Sequence, residues 1–162
     1  MSALEELHDV CIVLNGETVT ARVSARMHLG DFIRNLQGKT GTHIGCEHGV
    51  CGACNVTLDG KSVRSCLLLA VQADGSKVDT IEGLTQSGAI ADLQSEFVAR
   101  NALQCGYCTS GILATAAEML QGPQLSREGI REALSGNFCR CTGYHAIVDA
   151  VEATAKRRLK QA

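Results

Sequence analysis

Eight of the nine cysteines in this 162-residue chain fall into two groups of four. The first group contains Cys46, Cys51, Cys54 and Cys66. The second group contains Cys105, Cys108, Cys139 and Cys141, and Cys11 stands alone. In a reducing compartment such cysteines are more often metal ligands or catalytic thiols than disulfides. The grouping therefore predicts two sites of four thiolates, and the fold must bring each group together.

Charge and composition exclude several classes of protein. The chain has 15 basic and 17 acidic residues, a formal net charge of −2, and no long block of like charge, so nucleic acid is not an expected partner. The acidic start "MSALEELHDV" does not resemble a secretory signal, and no 18-residue apolar run indicates membrane insertion. We therefore expect a soluble, cytoplasmic protein. Without a G-x-G-x-x-G, P-loop or G-x-S-x-G motif, no catalytic residue is expected on this chain.

The first half of the chain has the pattern of a small sheet domain. Residues 8 to 24 alternate apolar and polar side chains around Asn15-Gly16, which predicts a β-hairpin. "LGDFIRNLQG" has helical spacing and stops at Gly38. "CNVTLDGKSVRSC" predicts a second hairpin around Asp59-Gly60, and "SKVDTIEGL" a last strand. We expect an α+β domain over residues 1–82.

The second half of the chain has the pattern of a helical bundle. Residues 83–89, "GLTQSGA", form a polar, glycine-containing connector in this interpretation. Beyond it, apolar residues recur at helical spacing in four segments, and Ser126 is a suitable N-cap for the third. We therefore expect four helices over residues 90–162.

The first cysteine group has the spacing of an iron–sulfur site. Its C-x4-C-x2-C motif, completed by a distant fourth cysteine, is the plant-type arrangement for a [2Fe-2S] cluster. Glycines around these cysteines permit positive φ values and close approach of backbone N–H groups. Structural zinc is the alternative, but zinc sites usually pair C-x2-C motifs or close with histidines. His43 and His48 are expected to be loop residues rather than ligands, because four thiolates complete the site.

The second cysteine group is less specific when it is taken alone. A C-x2-C pair begins one predicted helix and a C-x-C pair begins another. Two helix N-termini would stabilise the negative charge of four thiolates in a buried site. Zinc or a redox disulfide remains open on these residues, although a neighbouring plant-type motif favours a second cluster. Cys11, inside the apolar run "VCIVL", is expected to be a buried structural thiol.

Three motifs together resemble a known family. "GCEHGVCGAC", "QCGYC" and "CRCTGY", in this order, are similar to motifs of the two-[2Fe-2S] subunit of the molybdenum hydroxylases, the xanthine oxidase family. The resemblance covers nearly the whole chain. Two departures are Ser110, where the family often has proline, and Asn55, where threonine or serine is commoner. Neither departure removes a cysteine.

This resemblance implies a fold, cofactors and partners. The fold would be a β-grasp, plant-ferredoxin-like domain followed by an all-α four-helix bundle, each holding one [2Fe-2S] cluster. The partners would be a large subunit with the molybdopterin-type molybdenum cofactor and a medium FAD subunit, in a hetero-oligomer such as a dimer of heterotrimers. Gln104 and Cys141 occupy the positions that approach the pterin. The second cluster would lie nearest the molybdenum and the first closer to the flavin.

The expected function is therefore electron transfer from a molybdenum site through two [2Fe-2S] clusters to FAD or another acceptor. Two alternatives belong to other classes of protein. A free-standing ferredoxin-type carrier usually needs a strongly charged docking face, which a net charge of −2 does not supply. A zinc-stabilised interaction module would have no redox function.

Overall fold

A five-stranded mixed sheet occupies the first half of the chain. The computed structural model describes residues 6–123 and 126–161. The strands are β1 (Leu7–Leu14), β2 (Glu17–Ser24), β3 (Asn55–Leu58), β4 (Lys61–Arg64) and β5 (Lys77–Asp79). Their order is β2-β1-β5-β3-β4, with β1 and β5 parallel and the other neighbours antiparallel. A long connection joins β2 to β3. It contains three cysteines of the first group and ends at Cys54.

Both predicted hairpins are confirmed. The β1–β2 turn has Asn15 at φ 53° and Gly16 at φ 86°. The β3–β4 turn has Asp59 at φ 48° and Gly60 at φ 81°. Two successive positive φ values give the two-residue turn whose twist matches that of the paired strands, and Asn-Gly and Asp-Gly tolerate it best.

One helical segment covers the inner face of this sheet. Helix α1 (Leu29–Asp31) continues directly into a wider, π-helical turn (Phe32–Leu36). Leu29, Phe32 and Ile33 are fully buried and share a core with strand residues such as Ile12. The predicted helix is therefore confirmed in position, but its last turn is wider than an α-helix, with the Gln37 N–H bonded to the Phe32 carbonyl at 3.1 Å.

Five helices follow the sheet. They are α2 (Ile81–Gln86), α3 (Ala91–Ala99), α4 (Thr109–Met119), α5 (Arg127–Ala133) and α6 (His145–Leu159). The last four correspond to the four predicted helices, and they share a second core that includes Leu93, Phe97 and Ile112. Ser126 caps α5 as expected, because its hydroxyl accepts from the Gly129 N–H at 3.1 Å. In the described part of the chain no helix has the length and apolarity needed to cross a bilayer.

Helix α2 extends into the segment expected to be a connector, over residues 83–86. The last strand ends at Asp79, so the strand predicted over "SKVDTIEGL" is too long. The Glu82 carboxylate accepts from the Thr80 hydroxyl at 2.6 Å and from the Gly41 N–H at 2.8 Å, which fixes the first turn of α2. Leu84 is buried in the helical core. The helix therefore forms despite the polar, glycine-containing composition of this stretch. Burial of Leu84 and the two hydrogen bonds to the Glu82 carboxylate stabilise it.

Basic residues near the end of α6 hold the helices together. The Arg158 guanidinium donates to both carboxylate oxygens of Asp92 at 2.7 Å and to the Ala89 carbonyl at 2.9 Å. Hydrogen bonding to Arg158 lowers the pKa of Asp92. Arg157 pairs with the buried carboxylate of Glu96 on α3. Arg157 and Arg158 therefore join α6 to α3.

Candidate metal centres

The first cysteine loop turns its backbone N–H groups toward Cys46. The Cys46 Sγ accepts from the Val50 N–H at 3.3 Å and from the Cys51 N–H at 3.4 Å. The N–H groups of Cys51 and then His48 stabilise its thiolate and lower the Cys46 pKa to about 6. The loop is thus arranged to hold negative charge on sulfur before any metal is present.

Burial has the opposite effect on Cys66. Cys54 and Cys66 are buried, whereas Cys46 and Cys51 are half-buried. Burial, followed by the nearby Cys54 thiol, raises the Cys66 pKa to about 11. A thiol in this environment ionises at neutral pH only when a cation compensates its charge, as a coordinated metal does. Cys66 interacts electrostatically with both Cys54 and Cys46, so the predicted first group comes together in space.

The second group forms a half-open cluster of thiols. Cys105 and Cys141 are exposed, and their sulfur atoms lie 3.6 Å apart. Cys108 and Cys139 are half-buried. Burial, followed by the neighbouring Cys139 thiol, raises the Cys108 pKa to about 12. The four predicted members meet, but the expected burial of this site is wrong for the isolated chain, because one edge of the group faces outward.

The two helices contribute to the second group in different ways. Cys108 is the N-cap residue of α4, as the C-x2-C motif predicted. Helix α6 begins only at His145, so the C-x-C pair lies in the preceding loop and not at the start of the helix. This loop ends at Tyr144, whose positive φ of 67° reverses the chain before the helix begins. Only one helix N-terminus is therefore directly adjacent to the thiols.

The loop before α6 supplies its own polar groups to Cys139. The Tyr144 hydroxyl accepts from the Cys139 N–H at 2.7 Å, and the Thr142 hydroxyl lies 3.1 Å from the Cys139 sulfur. Burial alone would raise the Cys139 pKa, but hydrogen bonds from Thr142 and the Cys141 N–H outweigh it, so the pKa is lowered. The sequence pattern does not reveal these roles of Tyr144 and Thr142, because they depend on the positive φ of Tyr144.

Both groups of thiols fit the chemistry of a [2Fe-2S] cluster, whose two irons are held by four thiolates. Backbone N–H groups lower the pKa of Cys46 in the first group and, with the Thr142 hydroxyl, that of Cys139 in the second, so each group has a sulfur atom prepared to carry negative charge.

Backbone atoms of the two domains touch where the cysteine groups face each other. Gly52 has φ 72°, and a Cβ added there would lie 2.5 Å from the Gly136 carbonyl oxygen. A Cβ on Gly111, in the first turn of α4, would overlap the Gly52 carbonyl. The Cys51 carbonyl accepts from the Phe138 N–H at 2.8 Å. We call this contact the glycine seam, and it joins a loop of the first cysteine group directly to both segments of the second.

Polar side chains fix the glycine seam. Arg64 on β4 donates to the Asn55 side chain at 2.5 Å and to the Gly136 carbonyl at 2.6 Å. Asn55 in turn donates to the Thr115 hydroxyl on α4 at 2.7 Å. Asn137 is buried and donates to the Gly52 carbonyl at 3.2 Å. Asn55, noted as a departure from the family pattern, is therefore a structural link between the domains.

The remaining predicted residues lie in three places. The His43 ring is bonded to the Tyr107 carbonyl at 2.8 Å, and the His48 ring to the Cys46 carbonyl, so both are loop residues near the first group. Gln104 is exposed beside Cys105. Cys11 is exposed, which contradicts the expected burial. The alternation of β1 explains this error, because Val10 and Ile12 point to the core and Cys11 points to the opposite face.

Comparisons with known proteins agree with this geometry. A family model described as "2Fe-2S iron-sulfur cluster binding domain" matches residues 12–84, and one described as "[2Fe-2S] binding domain" matches residues 80–152. The nicotine 6-hydroxylase small subunit of Paenarthrobacter nicotinovorans is 51% identical over 144 residues, covering 88% of this chain and 87% of that protein. The caffeine dehydrogenase subunit gamma of Pseudomonas sp. (strain CBB1) is 44% identical over 152 residues, or 91% of each chain.

Solved structures show the same similarity. A chain of quinoline 2-oxidoreductase from Pseudomonas putida 86 has a TM-score of 0.87 and 48% identity, and the match covers 95% of this chain and 97% of that one. Aldehyde oxidoreductase from Desulfovibrio gigas has a TM-score of 0.88 and 38% identity, with 96% of this chain but only 18% of that one covered. The two-domain architecture therefore occurs both as a separate subunit and within a longer chain.

Fold, thiol groups and relatives together define a two-domain iron–sulfur protein. The chain belongs to the family of small iron–sulfur subunits of the molybdenum hydroxylases. It is an electron-transfer subunit of a multi-subunit oxidoreductase that carries two [2Fe-2S] clusters and works with a molybdenum cofactor on a partner. The expected α+β fold, with a ferredoxin-like domain before a helical one, is confirmed.

The glycine seam predicts the effect of a single methyl group. Gly111→Ala should lower the free energy of unfolding by about 1–3 kcal/mol, because the new Cβ displaces the Gly52 backbone from α4. The measurement is the thermal or chemical denaturation midpoint of the cluster-loaded protein. Gly122→Ala, at the far end of α4, is the control, since its Cβ would meet only the Met119 carbonyl at 3.6 Å. Equal midpoints for the two variants would contradict the close packing.

Proposed function

We propose that each cysteine group binds one [2Fe-2S] cluster through all four of its thiolates. The ligands of the first cluster would be Cys46, Cys51, Cys54 and Cys66. The ligands of the second cluster would be Cys105, Cys108, Cys139 and Cys141. When bound, the two clusters supply two one-electron carriers in one small chain. The observation that carries this proposal is that the four thiols of each group lie close together. Hydrogen bonds and electrostatic interactions connect thiols within each group.

The chain's own residues prepare each group for a negatively charged cofactor. Backbone N–H groups of Val50 and Cys51 point at a sulfur atom in the first group. Thr142 and the Cys141 N–H do the same in the second. Buried Cys54 and Cys66 exclude water from one side of the first group. These residues therefore hold thiolates in place and control the local dielectric, two factors that set the potential of an iron–sulfur centre.

We also propose an order for the two groups within the complete enzyme. The exposed edge formed by Gln104, Cys105 and Cys141 would face the molybdenum cofactor of the large subunit. The first group would lie closer to FAD on a medium subunit, which would be the electron acceptor. Exposure of this edge supports the first assignment, because a carrier must approach its donor through uncovered atoms. The glycine seam separates the first group from that edge. This separation supports the assignment of the first group to the FAD side.

The proposed setting is a cytoplasmic hetero-oligomer, such as a dimer of heterotrimers. Nine cysteines suit a compartment that keeps thiols reduced until clusters are inserted. We propose a first domain over residues 1–82 and a helical domain over residues 90–162, with residues 83–89 between them. Val78 lies in the sheet core and Leu84 in the helical core, so the change of core falls between these two residues, close to the proposed end of the first domain.

The ligand assignment predicts two separable losses. Cys108→Ser should remove one [2Fe-2S] EPR signal and Cys51→Ser the other, because each variant loses one of four ligands in a different group. Each variant should contain about half of the wild-type iron, since each cluster holds two irons. Cys11→Ser is the matched control and should retain both signals and all the iron. Two intact signals in Cys108→Ser would refute the assignment.

The proposed order of the groups predicts a role for Gln104. In the assembled enzyme, Gln104→Ala should slow reduction of the clusters by substrate about five- to tenfold. This is the effect expected when one hydrogen bond between Gln104 and the neighbouring cofactor is lost. Stopped-flow absorbance measures this rate, and both cluster spectra should stay unchanged. Gln121→Ala is the control, because Gln121 is also exposed but lies at the opposite end of α4. The order would be wrong if the two variants reduced their clusters at the same rate.

The names of the relatives suggest a class of substrate for the whole enzyme. Relatives named for nicotine, caffeine and quinoline are 51%, 44% and 48% identical to this chain. Aldehyde oxidoreductases range from 35% to 42%. We infer that the large partner subunit oxidises an N-heteroaromatic ring. Reduction of the purified complex by quinoline or nicotine, and not by benzaldehyde, is the expected result, and the opposite preference would overturn the inference.

A further inference from the structure

Tyr107 connects the two cysteine loops with its side chain. It lies inside the motif Cys105-Gly-Tyr-Cys108, yet its hydroxyl donates to the Ile44 carbonyl of the other domain at 2.8 Å. Its ring stacks on His43, with centroids 4.8 Å apart and planes 14° from parallel. The His43 Nδ1 atom lies 2.8 Å from the Tyr107 carbonyl. We call this contact between His43, Ile44 and Tyr107 the ring clasp.

The ring clasp lies next to ligands of both groups. Ile44 precedes Cys46 by two residues, and Tyr107 immediately precedes Cys108. A Cβ added at Gly45 would lie 3.5 Å from the Tyr107 ring and 3.2 Å from the Cys51 sulfur. The ring therefore packs on the short backbone stretch that leads into the first cysteine group.

The Ser110 hydroxyl extends the ring clasp. The buried Ser110 side chain lies 3.5 Å from the His43 Nδ1 atom. Proline, the residue often found at this position in the similar family, has no side-chain hydroxyl. Ser110 thus adds a further contact, from the first turn of α4 to the loop of the first domain.

The ring clasp and the glycine seam hold the first cysteine loop at two separate points. The glycine seam fixes the Cys51 end through the Phe138 N–H. The ring clasp fixes the His43–Ile44 end, on the side where Tyr107 is exposed. On the same side, the Arg34 guanidinium holds the Thr42 carbonyl at 2.6 Å. Loss of the ring clasp would therefore free the short stretch between Thr42 and Cys51, and Cys46 could move relative to the second group while Thr42 and Cys51 stay in place.

We propose that Tyr107 is a positioning residue that fixes the separation of the two [2Fe-2S] clusters. This inference rests on the ligand sets proposed above. The Tyr107 hydroxyl holds the Ile44 carbonyl, and the ring holds His43, so the Cys46 side of the first cluster stays at a constant distance from Cys108. Electron transfer between the clusters depends on that distance, and neither cluster needs Tyr107 as a ligand.

The experiment compares Tyr107→Phe with the wild-type holoenzyme. The phenylalanine ring keeps the stacking on His43 but removes the bond to Ile44. Amide hydrogen exchange near Gly45 and Cys46, measured by mass spectrometry, should become about fivefold faster, because one hydrogen bond that stabilises this stretch is lost. The EPR splitting between the two reduced clusters should broaden, because a looser loop samples several separations. Tyr107→Leu, which also removes the stacking, should increase both effects.

Tyr144→Phe is the matched control, since Tyr144 is the other tyrosine of the chain and also lies beside the second group. Its hydroxyl bonds to Cys139 within the same domain and does not cross to the first group. This variant should alter the signal of the second cluster and leave the splitting and the exchange near Cys46 unchanged.

Two results would overturn the role of Tyr107. One is an unchanged splitting and exchange rate in Tyr107→Phe with both clusters present, and the other is equal broadening in Tyr144→Phe. If Tyr107→Leu fails to assemble, the phenylalanine variant decides the question by itself. A wild-type enzyme without two [2Fe-2S] signals would overturn the ligand sets instead, and the exchange rates near Cys46 would still test the ring clasp.

Discussion

The close contact of Gly52 with Gly111 is the constraint on which the rest of this structure depends. Only residues without a Cβ allow the backbone of the first cysteine loop to lie against the first turn of α4. That approach lets the Phe138 N–H reach the Cys51 carbonyl and lets Arg64 span from β4 to Gly136. The two cores are thus joined by backbone contacts at the glycine seam and by the side chains of Arg64, Asn55 and Asn137.

Opposing electrostatic effects act on the thiols at this joint. Backbone N–H groups lower the Cys46 pKa to about 6, while burial raises the Cys66 and Cys108 pKa values to about 11 and about 12. A group with such different thiols is not stable as four free thiolates, since the buried members resist ionisation. A bound cationic iron centre resolves the conflict by compensating the buried charge. The same arrangement therefore favours the loaded state and leaves one exposed edge, at Cys105 and Cys141, for contact with a partner.

Local patterns in the sequence predicted most of the fold. Hairpins at Asn15-Gly16 and Asp59-Gly60 and four helices of the bundle follow from turn chemistry and periodicity. The family follows from the resemblance of three cysteine motifs to those of known proteins. The errors arise where tertiary contacts decide. Helix α2 depends on Glu82 reaching Gly41, the late start of α6 depends on the positive φ of Tyr144, and Cys11 faces outward because of strand alternation. The roles of Tyr107 and Arg64 depend on contacts between distant segments, which no single-sequence pattern reveals.

Metal and sulfide analysis of the native complex, combined with visible absorption, tests the central claim most directly. The account predicts a coloured protein with about four iron atoms and about four inorganic sulfides for each copy of this chain, after subtraction of any iron in partner subunits. The iron should divide between two [2Fe-2S] centres that differ in their EPR signals. The two centres have different surroundings, because Cys54 and Cys66 of the first group are buried whereas Cys105 and Cys141 of the second are exposed. A colourless chain with stoichiometric zinc would contradict the account.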